Sequence, residues 1–166
     1  MVTRLFPLNV KVSVEDRSYR LGETINLTVE LSPRRDMEVR EARVDIVCEE
    51  SWTESFSVMV PDRRAQRAQA QLFRTSLVGT PPPVPTIPKR VTKAHRESFV
   101  HSSGVFLENA QLRSGVAASY NLRLDIDTEP PPHADKATLS WRLKTTVDVA
   151  GARDITARRP VKVALA

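Results

Sequence analysis

The segment from Asp62 to Arg96 contains the residues whose types most directly suggest chemistry. It carries eight basic residues and a single acid, Asp62, so its net charge is +7 in a chain whose net charge is +5. Cations at this density attract phosphates, acidic peptides and anionic membrane surfaces through long-range, salt-sensitive forces. The alternative is a solvated loop whose charge only aids solubility. The candidate partner-binding residues are Arg63, Arg64, Arg67, Arg74, Lys89, Arg90, Lys93 and Arg96.

The same segment offers little for sequence-specific reading of nucleic acid. Phe73 is the only aromatic residue in it, whereas single-stranded nucleic acid is usually held on several aromatic platforms. Its proline-rich flank suits recognition by a polyproline-binding domain.

A search for enzymatic chemistry finds no candidate. His95, His101 and His133 show no metal-ligand spacing with one another or with Cys48. We interpret these histidines as solvent-exposed residues at strand ends. The sequence also lacks a nucleophile elbow, a phosphate-cradling glycine loop and a paired-carboxylate motif. We therefore expect a non-enzyme with no catalytic, cofactor or metal site, no cofactor and no small-molecule substrate.

Cys48 and the two tryptophans have simpler interpretations as packing residues. Cys48 is in phase with Val44 and Ile46, which favours a small buried side chain over a reactive thiol. Trp141 lies in phase with apolar neighbours, so it is expected in the core. Trp52 follows Glu49-Glu50-Ser51 at an expected strand end, where an exposed binding role stays open.

Most of the chain alternates apolar and polar residues with period two, as half-buried strands do. The clearest run is Thr24–Leu31, in which Ile25, Leu27, Val29 and Leu31 share one face. Glycine and proline turns separate such runs. This pattern predicts an all-β fold, an antiparallel immunoglobulin-like β-sandwich. Further strands are expected at 9–15, 42–48, 56–60, 120–126, 139–149 and 161–165.

The middle of the chain breaks the alternation. Residues 62–75 are rich in Ala, Gln and Arg with apolar residues at helical spacing, which predicts one short helix. Five prolines follow within residues 81–88, and they favour an extended conformation that excludes an inner strand. Pro160 likewise predicts an edge strand or a change of sheet near the end.

Size and composition suit a single domain. We expect residues 1–166 to form one sandwich with a basic, proline-rich insertion at about 62–96. No apolar run reaches the roughly 20 residues of a spanning helix, and no secretory signal is recognisable. With one cysteine, the chain is expected in a reducing compartment, the cytoplasm.

Two distant stretches together resemble the arrestin N-terminal domain. Tyr19-Arg20-Leu21-Gly22-Glu23 before an alternating strand is similar to the family's Tyr and Gly-Glu opening, and the stretch 105–126 is similar to its strand, Leu-x-x-Gly turn and following strand. Trp52–Ser55 looks like a strand-end motif of α-arrestins. Residues 137–149 and 154–163 resemble the family's long tyrosine-containing strand and its closing basic-Pro-hydrophobic strand.

The resemblance implies an arrestin N-domain type sandwich that works as a protein–protein adaptor without catalysis. Arrestins have two such sandwiches, whereas this chain corresponds to one. Their phosphate-sensing lysine pair is not evident, since the first strand offers only Lys11. A free-standing prokaryotic relative, similar to arrestin-type sporulation-control proteins, or an isolated domain of a longer chain fits better.

Two functional hypotheses follow. The first is a non-catalytic adaptor module that binds another protein through an exposed strand edge or through the basic segment; strand-edge pairing could also produce an oligomer. The second is a binder of an anionic surface, either membrane headgroups or nucleic acid, through residues 62–96.

Overall fold

A computed structural model describes residues 6–74, 79–80 and 82–165. These residues form one helix and strands that pair into two sheets. In chain order the elements are β1 (Leu8–Val14), β2 (Ser18–Arg20), β3 (Thr24–Pro33), β4 (Met37–Pro61), α1 (Arg63–Phe73), β5 (Thr86–Leu112), β6 (Ala118–Asp125), β7 (Thr138–Val149) and β8 (Ile155–Ala164).

The chain divides into two compact units. The first comprises the described residues up to Ser51 together with those from Arg96 onward, and the second is Trp52–His95. One sheet has the antiparallel order β1-β3-β6. The other has the order β2-β8-β7-β4-β5, in which β2 runs parallel to β8 and β7 runs antiparallel to both of its neighbours.

The core of the first unit follows from the alternation of its strands. Ile25, Leu27, Val29 and Leu31 on β3 are at most 4% exposed, so this strand turns its apolar face inward as its sequence predicts. On the other sheet Cys48 pairs with Trp141, and both side chains are buried. The predicted all-β sandwich, the buried cysteine and the core position of Trp141 are confirmed.

Strand lengths differ from those expected. The runs 42–48 and 56–60 belong to one strand, β4, which is 25 residues long. Trp52 therefore lies inside a strand, so the strand end expected there is wrong. Its side chain is 8% exposed, so it does not take the exposed binding role that stayed open. Period-two patterning marks where side chains point, but it does not mark where a strand stops.

Prolines occupy positions that strand pairing tolerates. Pro88 lies in β5, the outermost strand of its sheet, where a missing N–H need not break a ladder on both sides. Pro160 pairs with Arg142 of β7. On the other side of β8, pairing with β2 covers only Lys162–Ala164. Pro160 is therefore not paired with β2.

The second unit contains α1, so the short helix predicted for 62–75 is confirmed. Asp62 is its N-cap, and the carboxylate accepts hydrogen bonds from the backbone N–H groups of Arg64 (2.9 Å) and Ala65 (3.3 Å). These bonds satisfy donors that a helix start otherwise leaves open. The backbone N–H of Asp62 also donates to the carbonyl of Pro85 at 2.8 Å, which links the helix start to the chain just before β5.

Gly104 on β5 supports a prediction about packing in the first unit. A Cβ at this position would lie 2.6 Å from Cδ2 of Leu124, a β6 side chain that is only 4% exposed. We expect Gly104→Ala to destabilise the fold by about 1–3 kcal/mol, because the buried leucine has little room to move. Urea unfolding measures this change.

The matched control is the same substitution in a Leu124→Ala background. The contact atom is then gone, so Gly104→Ala should cost much less there, and the double-mutant cycle should show a coupling of about 1 kcal/mol or more. An equal loss of stability in both backgrounds would show that the contact with Leu124 is not what constrains position 104.

Candidate functional site

Helix α1 holds most of its arginines on its exposed side. Ala65, Gln69 and Phe73 are half-buried and lie four residues apart, so they form the inward stripe of the helix. Arg63 and Arg67 each lie two residues from Ala65, which is about 200° of helical rotation. The helix therefore packs through alanine, glutamine and phenylalanine and presents guanidinium groups to solvent.

Three predicted binding residues come together around one open cavity in the second unit. Arg63 and Arg64 from the first turn of α1 and Lys89 from β5 line a cavity of about 900 Å³. Val60 and Ile87 supply apolar wall, and Asp62 supplies the single carboxylate. A concave surface with three cations and one acid suits an anionic group.

The other five predicted residues are exposed but do not line this cavity. Arg67 and Arg74 belong to α1 and its C-cap, and Arg90 and Lys93 lie on β5. Arg96 lies in the first unit and forms an ion pair with Glu49 at 3.4 Å.

The seven basic residues of the second unit have no acidic partner among the described residues. No carboxylate there lies within 4.0 Å of Arg63, Arg64, Lys89 or the others. Their charges therefore add to one positive potential instead of cancelling. We call these seven residues the basic face: Arg63, Arg64, Arg67, Arg74, Lys89, Arg90 and Lys93.

The histidines are not exposed strand ends, so that interpretation is wrong. His95 and His101 lie inside β5 and are half-buried. The ring of His95 stacks on Trp52 with centroids 5.1 Å apart and an interplanar angle of 6°, and its Nε2 lies 3.2 Å from a Glu54 oxygen. His101 contacts Trp141 edge-on, with centroids 4.9 Å apart. Both rings act as packing partners of the tryptophans.

The first unit brings together a set of ionisable residues that the sequence did not reveal. Glu50 on β4, Glu97 on β5 and His133 between β6 and β7 each offer one ligand atom, and these atoms lie within 4.8 Å of one another. They are 47 and 36 positions apart in sequence. Only sheet pairing and the β6–β7 connection make them neighbours, so no local motif could have identified them.

Cys48 is held as an unreactive thiol. Burial, with a smaller contribution from the charge of Glu50, raises its pKa from 9.0 to about 11. Because only the thiolate is a nucleophile, a thiol with this raised pKa serves as a packing residue.

The comparisons with known proteins support the fold. No protein-family model and no curated protein matches the chain. The crystal structure of Spo0M, a sporulation control protein from Bacillus subtilis, is similar to it with a TM-score of 0.54 and 13% identity, and the match covers 98% of this chain. The chain adopts an all-β arrestin-like sandwich. It spans about half of that structure, since the match covers 51% of Spo0M.

The resemblance read from the sequence is thus supported at the level of the fold. In the part of the chain that the structure describes, no helix is long and apolar enough to cross a membrane.

The state of Cys48 generates a prediction about thiol reactivity. At pH 8 a pKa of about 11 instead of 9.0 leaves about a hundredfold less thiolate. We expect the native chain to react with a thiol-specific disulfide reagent at least about a hundredfold more slowly than the chain in urea. Since the folded state holds the proton more tightly, this group's contribution to stability is constant below pH 9 and falls between pH 9 and 11.

A Cys48→Ala variant should show a flatter loss of stability across that alkaline range than the unmodified chain. Equal reaction rates in the native and urea-unfolded chains would contradict burial as the control of this thiol.

Proposed function

We propose that this protein is a non-catalytic interaction module that binds an acidic surface of another protein through its basic face. The observation that carries the proposal is the set of seven exposed cations in the second unit that have no carboxylate partner among the described residues. The arrestin-like fold supports it, because the similar structure of Spo0M is that of a sporulation control protein.

The geometry of α1 favours a protein surface as the partner. Arg63 and Arg64 of its first turn, together with Lys89, line a concave region of about 900 Å³ with apolar wall from Val60 and Ile87. Ile87 is 47% exposed. Protein interfaces combine an apolar centre with charged groups that guide association, and arginine is enriched at their most important contacts.

A charge-reversal variant tests this proposal. Photo-crosslinking from position Gln66, beside the cavity, should identify a partner in host extract, which is then purified. We expect Arg63→Glu, Arg64→Glu and Lys89→Glu together to weaken binding of the purified partner by at least about tenfold, mainly by slowing association. Surface plasmon resonance at two salt concentrations measures both effects.

The matched control reverses three exposed arginines of the first unit, Arg113, Arg123 and Arg153. It changes the net charge of the chain by the same amount and should leave partner affinity within about twofold. Equal weakening by both triple variants would show a general charge effect, and no weakening by either would overturn the basic face as the binding surface.

A second candidate function is binding to an anionic membrane surface through the same residues. The specific observation is that Arg63, Arg67 and Arg74 share the exposed side of α1, so one helix can place several guanidinium groups at headgroup level. Each basic residue near an anionic surface contributes about 1 kcal/mol.

Vesicle sedimentation distinguishes the two candidates. If the second holds, vesicles with about 30% phosphatidylserine should bind the chain, whereas neutral phosphatidylcholine vesicles should not. Arg63→Gln, Arg64→Gln, Lys89→Gln and Arg90→Gln together should lower the partition coefficient by about a hundredfold or more, and salt should lower it steeply. Salt-insensitive or absent binding would rule out this candidate while leaving the protein-binding proposal standing.

A further inference from the structure

Glu50 is a buried carboxylate with an unusual set of partners. Its side chain has no measurable exposure, and its two oxygens bond to one residue, His133. The backbone N–H of His133 donates to Oε1 at 2.9 Å, and the ring Nδ1 lies 2.9 Å from Oε2. Within the described part of the chain, no lysine or arginine lies within ion-pair distance of Glu50.

The other buried carboxylate of the same unit has a different set of partners. Asp45 is 4% exposed and accepts a hydrogen bond from Oγ of Ser103 at 2.5 Å, while Nε of Arg43 lies 3.6 Å from its other oxygen. A buried charge is costly unless a partner compensates it. Asp45 therefore has an arginine beside it, whereas the partner of Glu50 is an imidazole.

The connection between β6 and β7 holds His133 in place from both sides. While its N–H is bonded to Glu50, its carbonyl accepts hydrogen bonds from the N–H groups of Lys136 (3.0 Å) and Ala137 (2.8 Å). The turn is therefore fixed on the Glu50 carboxylate, and the imidazole cannot turn away without breaking its own contact with Oε2 of Glu50. Fixed ligands lower the cost of ordering a metal site.

Glu97 supplies a third ligand from the solvent side. It lies on β5 and is exposed, and its ligand atom is within 4.8 Å of those of Glu50 and His133. In a tetrahedral zinc site with metal–ligand distances of about 2.1 Å, ligand atoms are about 3.4 Å apart. The 2.9 Å contact between Glu50 and His133 is already close to that spacing.

We propose that Glu50, Glu97 and His133 form a binding site for a divalent transition metal of the zinc type. One imidazole and two carboxylates are ligands that zinc accepts, whereas magnesium and calcium prefer oxygen alone. Three protein ligands leave a fourth position for water. The ion would place a positive charge beside Glu50 and join β4, β5 and the β6–β7 connection.

Binding has a defined proton balance. One proton lies in the contact between Nδ1 of His133 and Oε2 of Glu50, on the ring nitrogen or on the carboxyl group. If Nδ1 is the ligand nitrogen, the metal replaces that proton, which passes to solvent. The site lies wholly in the first unit, so it is independent of the basic face and of the function proposed for it.

Zinc chloride titration of the full chain tests the proposal. We expect one zinc ion per chain by calorimetry and, at zinc about a hundred times its Kd, a rise in Tm of about 5–10 °C. Magnesium chloride at the same concentration should leave Tm unchanged. Cobalt chloride should give the visible absorption of a four-coordinate ion.

Glu97→Gln is the decisive variant, because Glu97 is exposed and its loss should leave the zinc-free Tm unchanged. It should weaken zinc binding at least about tenfold, and His133→Gln should abolish the cobalt absorption. Glu108→Gln, an exposed residue of the same strand, is the matched control and should keep the full zinc shift.

Three results would overturn the site. The first is no Tm shift at millimolar zinc, the second is equal binding by Glu97→Gln and Glu108→Gln, and the third is cobalt absorption that survives His133→Gln. Either of the last two would place the metal elsewhere on the surface and leave Glu50 with a purely structural role in fixing the β6–β7 connection.

Discussion

Burial of one side of each sheet is the interaction on which the first unit depends. Ile25, Val29 and Leu31 are completely buried on β3, as are Val44 and Ile46 on β4. Each such side chain contributes about 1.5–3 kcal/mol when it leaves water, so a register slip of one residue, which would expose the whole set, is strongly disfavoured. That penalty fixes which backbone positions face solvent, and thereby where functional residues can stand.

The same burial makes polar residues inside the unit expensive, and this explains how few there are. Glu50 is in phase with Ile46 and Cys48 on the same strand, so the pleat carries its carboxylate inward with the apolar side chains. The fold then satisfies both oxygens with one residue from a distant connection. Buried, hydrogen-bonded polar groups of this kind impose a specific arrangement that apolar contacts alone would leave loose, so His133 has one position relative to the sheet.

Much of the fold was predictable because it rests on local patterns. Alternation in Thr24–Pro33 marks a strand directly, and the alanine- and glutamine-rich stretch after Asp62 marks a short helix. The extent of β4 was not predictable, since its residues beyond Trp52 continue the strand without being buried. The pairing of Trp52 with His95 is equally hidden, because it joins residues 43 positions apart.

The two candidate sites also differ in whether the sequence alone could reveal them. The basic residues of 62–96 could be named from the sequence because charge density is a property of composition, and lysine and arginine side chains are seldom fully buried. The carboxylate–imidazole cluster could not be named, because its members have ordinary local sequences and only the fold brings them together. Its members are Glu50, Glu97 and His133. Sequence reasoning therefore finds surfaces that act by accumulated charge more readily than sites that act by geometry. In this protein, the basic face is of the first kind and the carboxylate–imidazole cluster is of the second.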